Sequence, residues 1–221
     1  MIVREGLRRM YAEGDDVCYY LTVGNEPYEM PEMPAGVEHD ILKGLYRLSG
    51  AEHKRGAAIK LLGSGAILNE VREAQRMLRE TFDVDCEVWG APSYQQLHRE
   101  GLEVERWNLL HPGSEARLPH ARRCFGDDPK SLVVAASDYV KALPHTIRDW
   151  VPGRFVALGT DGFGRSEGRA ALRDWFEVDA RHVAWATLSA LHRDDRFDKR
   201  RLTAARKKLE IDPDKADAYS L

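Results

Sequence analysis

Apolar positions along this chain follow two alternating rhythms. Short apolar runs at 57–62, 84–89, 131–136 and 154–158 read as strands, and the run at 131–136 is continuous enough to predict a central strand covered on both faces. Between them the rhythm lengthens. Ile67, Val71, Ala74 and Leu78, at offsets of 4, 7 and 11, predict a helix over 66–80. Further helices are expected from Pro92 to about His98 or Glu100, over 121–125, over most of 138–150 with an interruption at Pro144, and over 167–176. Residues 101–120, broken by Pro112, Gly113 and Pro119, read as irregular. Two helices close the chain. One carries Ala184, Leu188 and Leu191 on one face; the other is capped by Asp198 and carries Leu202, Ala205 and Leu209. Strands alternating with helices predict an α/β, three-layer fold, a mostly parallel sheet with helices on both faces.

The first 50 residues follow neither rhythm for long. A helix is expected over 2–12, a break at Gly14-Asp15-Asp16, and a strand over 17–23 rich in β-branched and aromatic residues. Pro27, Pro31 and Pro34 then mark an extended linker across 24–40, and a short helix is expected over 40–48. A lone helix and strand cannot bury a core, so this opening reads as a piece of a neighbouring domain, with the main domain starting near Arg55.

Composition narrows the function classes. At 221 residues, 43 % hydrophobic and 31 % charged, the chain is a globular protein and not a disordered one. A net charge of −3 gives no bulk electrostatic case for nucleic acid or a membrane surface. No apolar run approaches a membrane span, and no signal-peptide core is visible. Cys18, Cys86 and Cys124 are odd in number and widely spaced, which argues against a disulfide framework and for a reducing cytoplasm. Cys18 and Cys86, inside strand-like runs, are expected to be buried.

Gly159-Thr160-Asp161-Gly162-Phe163-Gly164-Arg165-Ser166 joins an apolar strand to a helix start. Its glycines permit positive φ or close backbone approach, Ser166 is positioned to cap the helix, and Arg165 and Arg169 add positive charge near the helix N-terminus. The stretch reads either as a tight βα turn or as a seat for an anion or acidic partner. Gly63-Ser64-Gly65 lacks the third glycine or the Gly-Lys-Ser/Thr ending of a phosphate loop and reads as a turn. No histidine pairs with another His, Cys or carboxylate at a recognised ligand spacing, and there is no Gly-x-Ser-x-Gly elbow. His111 lies beside Pro112, and the simpler expectation is that Trp107 anchors this loop in the core while His111 hydrogen-bonds backbone. The cations at Lys199-Arg200-Arg201 and Arg206-Lys207-Lys208 read as a solvated helix face, with partner docking left open.

Longer motifs carry a family resemblance. Tyr19-Tyr20-Leu21-Thr22-Val23-Gly24-Asn25-Glu26-Pro27-Tyr28 and Met30-Pro31-Glu32-Met33-Pro34 come first. They are followed in order by Leu61-Leu62-Gly63-Ser64-Gly65, Glu105-Arg106-Trp107-Asn108-Leu109-Leu110-His111-Pro112 and Ala136-Ser137-Asp138-Tyr139. The glycine loop and Phe176-Glu177-Val178-Asp179 complete the set. Together they resemble the C-terminal quarter of the homodimeric pyruvate dehydrogenase decarboxylating component. The resemblance implies three regions: the end of a pyrimidine-binding domain (1–23), a linker (24–54) and a transketolase-like C-terminal domain (55–221). The neighbours of Met1 match the interior of the family's pattern, so the chain reads as an expressed fragment.

That family uses thiamine diphosphate with Mg²⁺ to decarboxylate pyruvate and reductively acetylate lipoyl groups on a dihydrolipoyl acetyltransferase component. Its Gly-Asp-Gly…Asn diphosphate-and-metal motif and its activating glutamate are absent here, so no catalytic, cofactor-binding or metal-binding residue is expected in this chain. The implied role is dimer packing, channel shaping and assembly of the multienzyme complex. Channel or interface candidates are Asn25, Glu26, His111, Asp161, Phe163, Arg165 and Ser166. Two other readings stand beside it, a stand-alone anion-binding regulatory module and one half of a split enzyme.

Overall fold

The computed structural model describes residues 1–52 and 58–219. His53, the expected domain start at Arg55 and the first residue of the expected strand at 57–62 lie outside them. The ordered elements are α1 (Ile2–Leu7), continued by a wider helical turn over Arg8–Ala12, α2 (Glu38–Lys43), β1 (Tyr46–Ser49), β2 (Ile59–Gly63) and α3 (Ile67–Phe82). Next come β3 (Glu87–Gly90), α4 (Tyr94–Leu110), α5 (His120–Phe125), β4 (Leu132–Ala136), α6 (Ala142–His145) and β5 (Arg154–Leu158). Helices α7 (Arg169–Trp175), α8 (Ala180–Arg193) and α9 (Lys199–Lys208) follow.

The strands form one five-stranded sheet in the order β1-β3-β2-β4-β5, with β3, β2, β4 and β5 parallel and β1 antiparallel at the edge. Period-two alternation splits its side chains between two cores. Leu61, Val88 and Val134 pack with the α3 stripe of Ile67, Val71, Ala74 and Leu78 and with Val183, Ala184, Leu188 and Leu191 of α8. Leu62, Trp89, Val133 and Ala135 pack on the other face against Tyr94 and Leu97 of α4, Ala121 and Phe125 of α5, and Trp150. The three-layer α/β fold expected from the sequence is therefore present.

Several local expectations are corrected. Residues 17–23 form no strand: no ladder partner lies beside them among the described residues, and Tyr20 and Val23 are exposed, as is Cys18. The helix expected over 40–48 ends at Gly44, whose φ of +95° terminates it, and β1 then joins the sheet against β3. Helix α4 does not stop near Glu100 but runs through Gly101 to Leu110. A side chain at Gly101 would run into the ring of Trp150, so the glycine serves close packing and does not break the helix. The stretch 138–150 contains only the short α6 and a tight turn at Arg148–Trp150, with Pro144 buried in α6. Helix α7 starts two residues later than expected, capped by Gly168 and not by the Ser166 hydroxyl.

Candidate functional site

The parallel strands end together, and the loops beyond their carboxyl ends are stitched to one another. The Ser64 N–H donates to the Ala136 carbonyl at 3.3 Å, and the Ser137 N–H to that of Leu158 at 3.2 Å. The Thr160 N–H reaches the Tyr139 carbonyl at 2.9 Å, and its hydroxyl donates to the Asp138 carbonyl at 2.8 Å. Asp161 accepts the Lys141 N–H at 2.9 Å and pairs with its ammonium at 3.5 Å. The carboxylate therefore fixes one loop to the next. In an open α/β sheet this is the edge where ligands and partners collect.

The glycine loop divides unevenly. Gly162 has a φ of +90° and faces the Ala218 carbonyl closely, and Gly159 faces the Tyr139 carbonyl, so neither has room for a side chain. Gly164 has open space around it and an ordinary φ. Phe163 is exposed and so is Ser166. The Arg165 guanidinium lies over the Trp175 ring at 4.0 Å from its centroid.

Residues 22–28 cross this edge. The Thr22 and Tyr139 hydroxyls are 2.7 Å apart. Arg169 donates to the Tyr28 hydroxyl at 2.6 Å and to the Asn25 carboxamide oxygen, and pairs with Glu26 at 3.0 Å. One turn further along α7, Arg173 pairs with Glu70 at 2.7 Å and donates to the Tyr28 hydroxyl at 3.1 Å. The phenol completes its bonding by donating to Glu26 at 3.0 Å. Glu70 also accepts the Ala180 N–H at 3.0 Å, which ties α3 to the start of α8. Two charged donors on one neutral oxygen give a directional, charge-assisted latch. Both of its carboxylates, Glu26 and Glu70, are held by arginines.

Asn25 and Glu26 are thus brought to Arg169, on the same helix that the glycine loop introduces. His111 stands apart at the end of α4. Its Nδ1–H donates to the Trp107 carbonyl at 2.8 Å, as expected, but Trp107 is not in either core. The His111 ring stacks on the indole at 4.4 Å and 10°, and the Arg117 guanidinium lies over the same ring at 3.7 Å. Glu70 and Arg173 carry no signal in the sequence, and Tyr28 stands there only as the end of a family motif, not as a site candidate. Arg173 and Tyr28 are 145 residues apart, and no local spacing links them.

Two other side-chain groups bring potentially reactive atoms together. Among the described residues, Asp174, Asp179 and His182 bring three potential metal ligands within 4.8 Å. Arg181 pairs with Asp174 at 2.5 Å and with Asp179 at 2.9 Å, so a guanidinium already satisfies this group. Burial raises the Asp179 pKa, but the bonds from the His182 ring and N–H and from Arg181 outweigh it and hold the carboxyl at about 2. Cys124 Sγ lies 3.4 Å from His120 Nε2. That nitrogen donates to the Leu45 carbonyl at 2.9 Å and cannot take the thiol proton, while burial pushes the thiol up to about 12. The pair is not an activated nucleophile.

A transketolase-like C-terminal domain model matches residues 44–179, and the chain belongs to that family. It is 46 % identical over its whole length to the pyruvate dehydrogenase E1 component of Cupriavidus necator, covering 25 % of that protein. The component from Haemophilus influenzae is 48 % identical across 86 % of the chain and 22 % of the relative. That of Escherichia coli K12 is 42 % identical across 98 % and 24 %. The chain thus spans about a quarter of the length of the curated relatives it matches. Among solved structures, transketolase from Leishmania mexicana superposes with a TM-score of 0.50 at 15 % identity, covering 70 % of this chain and 19 % of that one, a likeness of fold. No helix among the described residues is long and apolar enough to cross a membrane.

Proposed function

We propose that this chain is the C-terminal quarter of a pyruvate dehydrogenase decarboxylating component, a cytoplasmic homodimer within a multienzyme complex. Residues 1–23 would close a preceding pyrimidine-binding domain, 24–54 would link, and 55–221 would form the transketolase-like domain. The boundary at 54/55 falls outside the described residues, and β1 (46–49) already pairs within the sheet. The observation that carries the reading is 46 % identity along the whole of this chain to a quarter of one such component. Residues 22–28 contribute to it, because they reach the sheet's carboxyl edge from outside the sheet domain.

In the whole enzyme the domain would pack the dimer, shape the channel that admits the lipoyl group, and meet the dihydrolipoyl acetyltransferase component. Asn25, Glu26, Asp161, Phe163, Arg165 and Ser166 are the candidates for the channel or interface, with His111 as a separate surface candidate. The whole enzyme would carry thiamine diphosphate and Mg²⁺. The described residues do not fit that group: of the three potential ligands that converge, Asp174 and Asp179 are paired with Arg181 and His182 is bonded to Asp179. No step of the reaction is therefore assigned to this chain. Arg169 pairs with Glu26, Arg173 with Glu70, and Arg165 lies over Trp175. The identity along the whole chain is what favours this reading over a stand-alone anion-binding module or half of a split enzyme.

Calorimetry of the isolated chain with thiamine diphosphate and Mg²⁺ tests this division of labour. No saturable heat is expected at micromolar cofactor. A micromolar dissociation constant would overturn it.

A further inference from the structure

Helix α9 is the most strongly basic element of the chain: six of its ten residues are lysine or arginine and none is acidic. The chain as a whole carries a net charge of −3. Ala205 and Leu209 turn into the core shared with α3 and α8. Opposite them, Arg200 and Lys207 share the outward face, about 10 Å apart along the helix axis. Thr203 and Ala204 lie between them, and Lys199 and Lys208 flank this line on either side. All of these outward side chains are exposed.

Folding does not account for the charge. Arg206, Lys207 and Lys208 stand in the last turn, where the helix dipole favours cations. Lys199 and Arg200 stand in the first turn, where the dipole opposes them and no acidic residue offsets it. The Asp198 carboxylate before them is turned to the helix itself, accepting the Arg200 and Arg201 N–H groups at 2.9 and 3.0 Å. Arg201 is engaged within the fold: it donates to the Phe82 carbonyl and lies over the Phe197 ring at 4.7 Å. Lys199, Arg200, Lys207 and Lys208 form no ion pair among the described residues. The face is also short. Asp195 and Asp198 precede it and Glu210, Asp212 and Asp214 follow it, so the positive charge ends after about 15 Å. A nucleic-acid backbone or a membrane surface extends past that length and meets the carboxylates at both ends. A single acidic helix does not.

We propose that the outward face of α9 docks a helix of a partner protein that carries carboxylates at i, i+3 or i+4, and i+7. That spacing sets acidic groups against Arg200 and Lys207, and complementary charge fixes their register. The small Thr203 and Ala204 let the two helix axes approach to about 8–10 Å, with Lys199 and Lys208 reaching the carboxylates from the sides. The proposal does not rest on the enzyme to which the chain contributes.

The test titrates the intact 221-residue chain with a synthetic alanine-rich helical peptide bearing glutamates at i, i+4 and i+7, at constant low ionic strength, followed by amide NMR. Saturable shifts are expected over residues 199–208. A peptide of the same composition with its glutamates spread around the helix should bind about fivefold more weakly. Arg200→Gln with Lys207→Gln should weaken binding by about tenfold or more; both side chains are exposed, so the fold stays intact. Ala204→Gln keeps every charge and should weaken binding about threefold, by holding the incoming helix away. Arg72→Gln with Arg106→Gln, exposed on α3 and α4, removes equal charge and should leave binding within about twofold. Absence of saturation, equal binding of the two peptides, an unchanged affinity in either α9 variant, or an equal loss in the Arg72 and Arg106 pair would overturn the docking face. Tighter binding of single-stranded RNA or of phosphatidylglycerol vesicles at the same ionic strength would overturn it as well.

Discussion

Residues 17–23 and β4 are both short apolar stretches with strand-forming residues, and they meet opposite fates. In β4 all five residues, Leu132–Ala136, are completely buried between two parallel neighbours. In 17–23 the side chains of Tyr20 and Val23 are 91 % and 90 % exposed, and no strand among the described residues lies alongside. The β propensity of the residues is therefore not what separates them. A strand needs partners for its backbone groups, and the sheet domain supplies none at that place. What the segment does possess is a set of side-chain tethers, from Thr22 to Tyr139 and from 25–28 to Arg169 and Arg173. One region is held by its core and the other by its edge contacts.

Hydrogen exchange separates the two most widely. Amides of β4 should open only by global unfolding, with protection on the order of 10⁴ or more for a domain of ordinary stability. Amides of 17–23 should exchange within about tenfold of the free-chain rate. High protection there would mean that the segment has found a strand partner, a second copy of this chain being the nearest available.

Packing gives the next contrast. Gly101→Ala drives a methyl group into Trp150, which is buried and donates to Glu105 at 2.6 Å, and should destabilise the sheet domain by about 2–3 kcal/mol. Gly162→Val meets both a positive φ and the Ala218 carbonyl and should cost about 1–3 kcal/mol. Gly164→Val, with open space around it, should change stability by less than about 0.5 kcal/mol. Thermal or urea unfolding reads all three. Equal losses at Gly162 and Gly164 would show that the loop is packed as a unit.

Acid should loosen the sheet domain through Asp179 without involving the tethers. Its folded pKa of about 2 is below the ordinary value of 3.8, so its stabilisation is complete above pH 3.8 and is lost as pH falls through about 2. The contribution is on the order of 2 kcal/mol. In Asp179→Asn, the slope of unfolding free energy between about pH 4 and 2 should flatten accordingly. An unchanged slope would remove Asp179 as the cause.

Much of the sheet domain was legible in the sequence because burial imposes period. The stripe of α3, the faces of α8 and α9, and the apolar runs of β4 and β5 all stand where the pattern put them. The failures have specific causes. Gly101 resembles a helix breaker because sequence does not reveal that Trp150 packs against it. β1 resembles the tail of a helix because its partner β3 lies some forty residues away. At the carboxyl edge, Arg165, Arg169 and Gly162 were visible as a charged glycine turn, and Asn25 and Glu26 through family resemblance. Tyr28 stood in the same motif without any assigned role, and Glu70 and Arg173 left no local signal, since the latch forms only when distant segments meet.

The latch itself should produce the smallest effect and the most informative one. Arg169→Ala removes the donors to Tyr28 and Asn25 and the partner of Glu26, all at a partly exposed site. Exposed pairs of this kind contribute about 0–1 kcal/mol, so the unfolding free energy should fall by no more than that. Exchange at 22–28 should nevertheless rise several-fold, because those tethers are most of what holds the segment. Tyr28→Phe removes only the hydroxyl and should show the same direction with a smaller rise. Arg165→Ala breaks a contact with Trp175 and no contact with the segment, so it should leave exchange at 22–28 unchanged. If Arg169→Ala instead destabilises the chain as much as Gly101→Ala, the segment belongs to the cooperative unit and the distinction between core-held and edge-held regions fails.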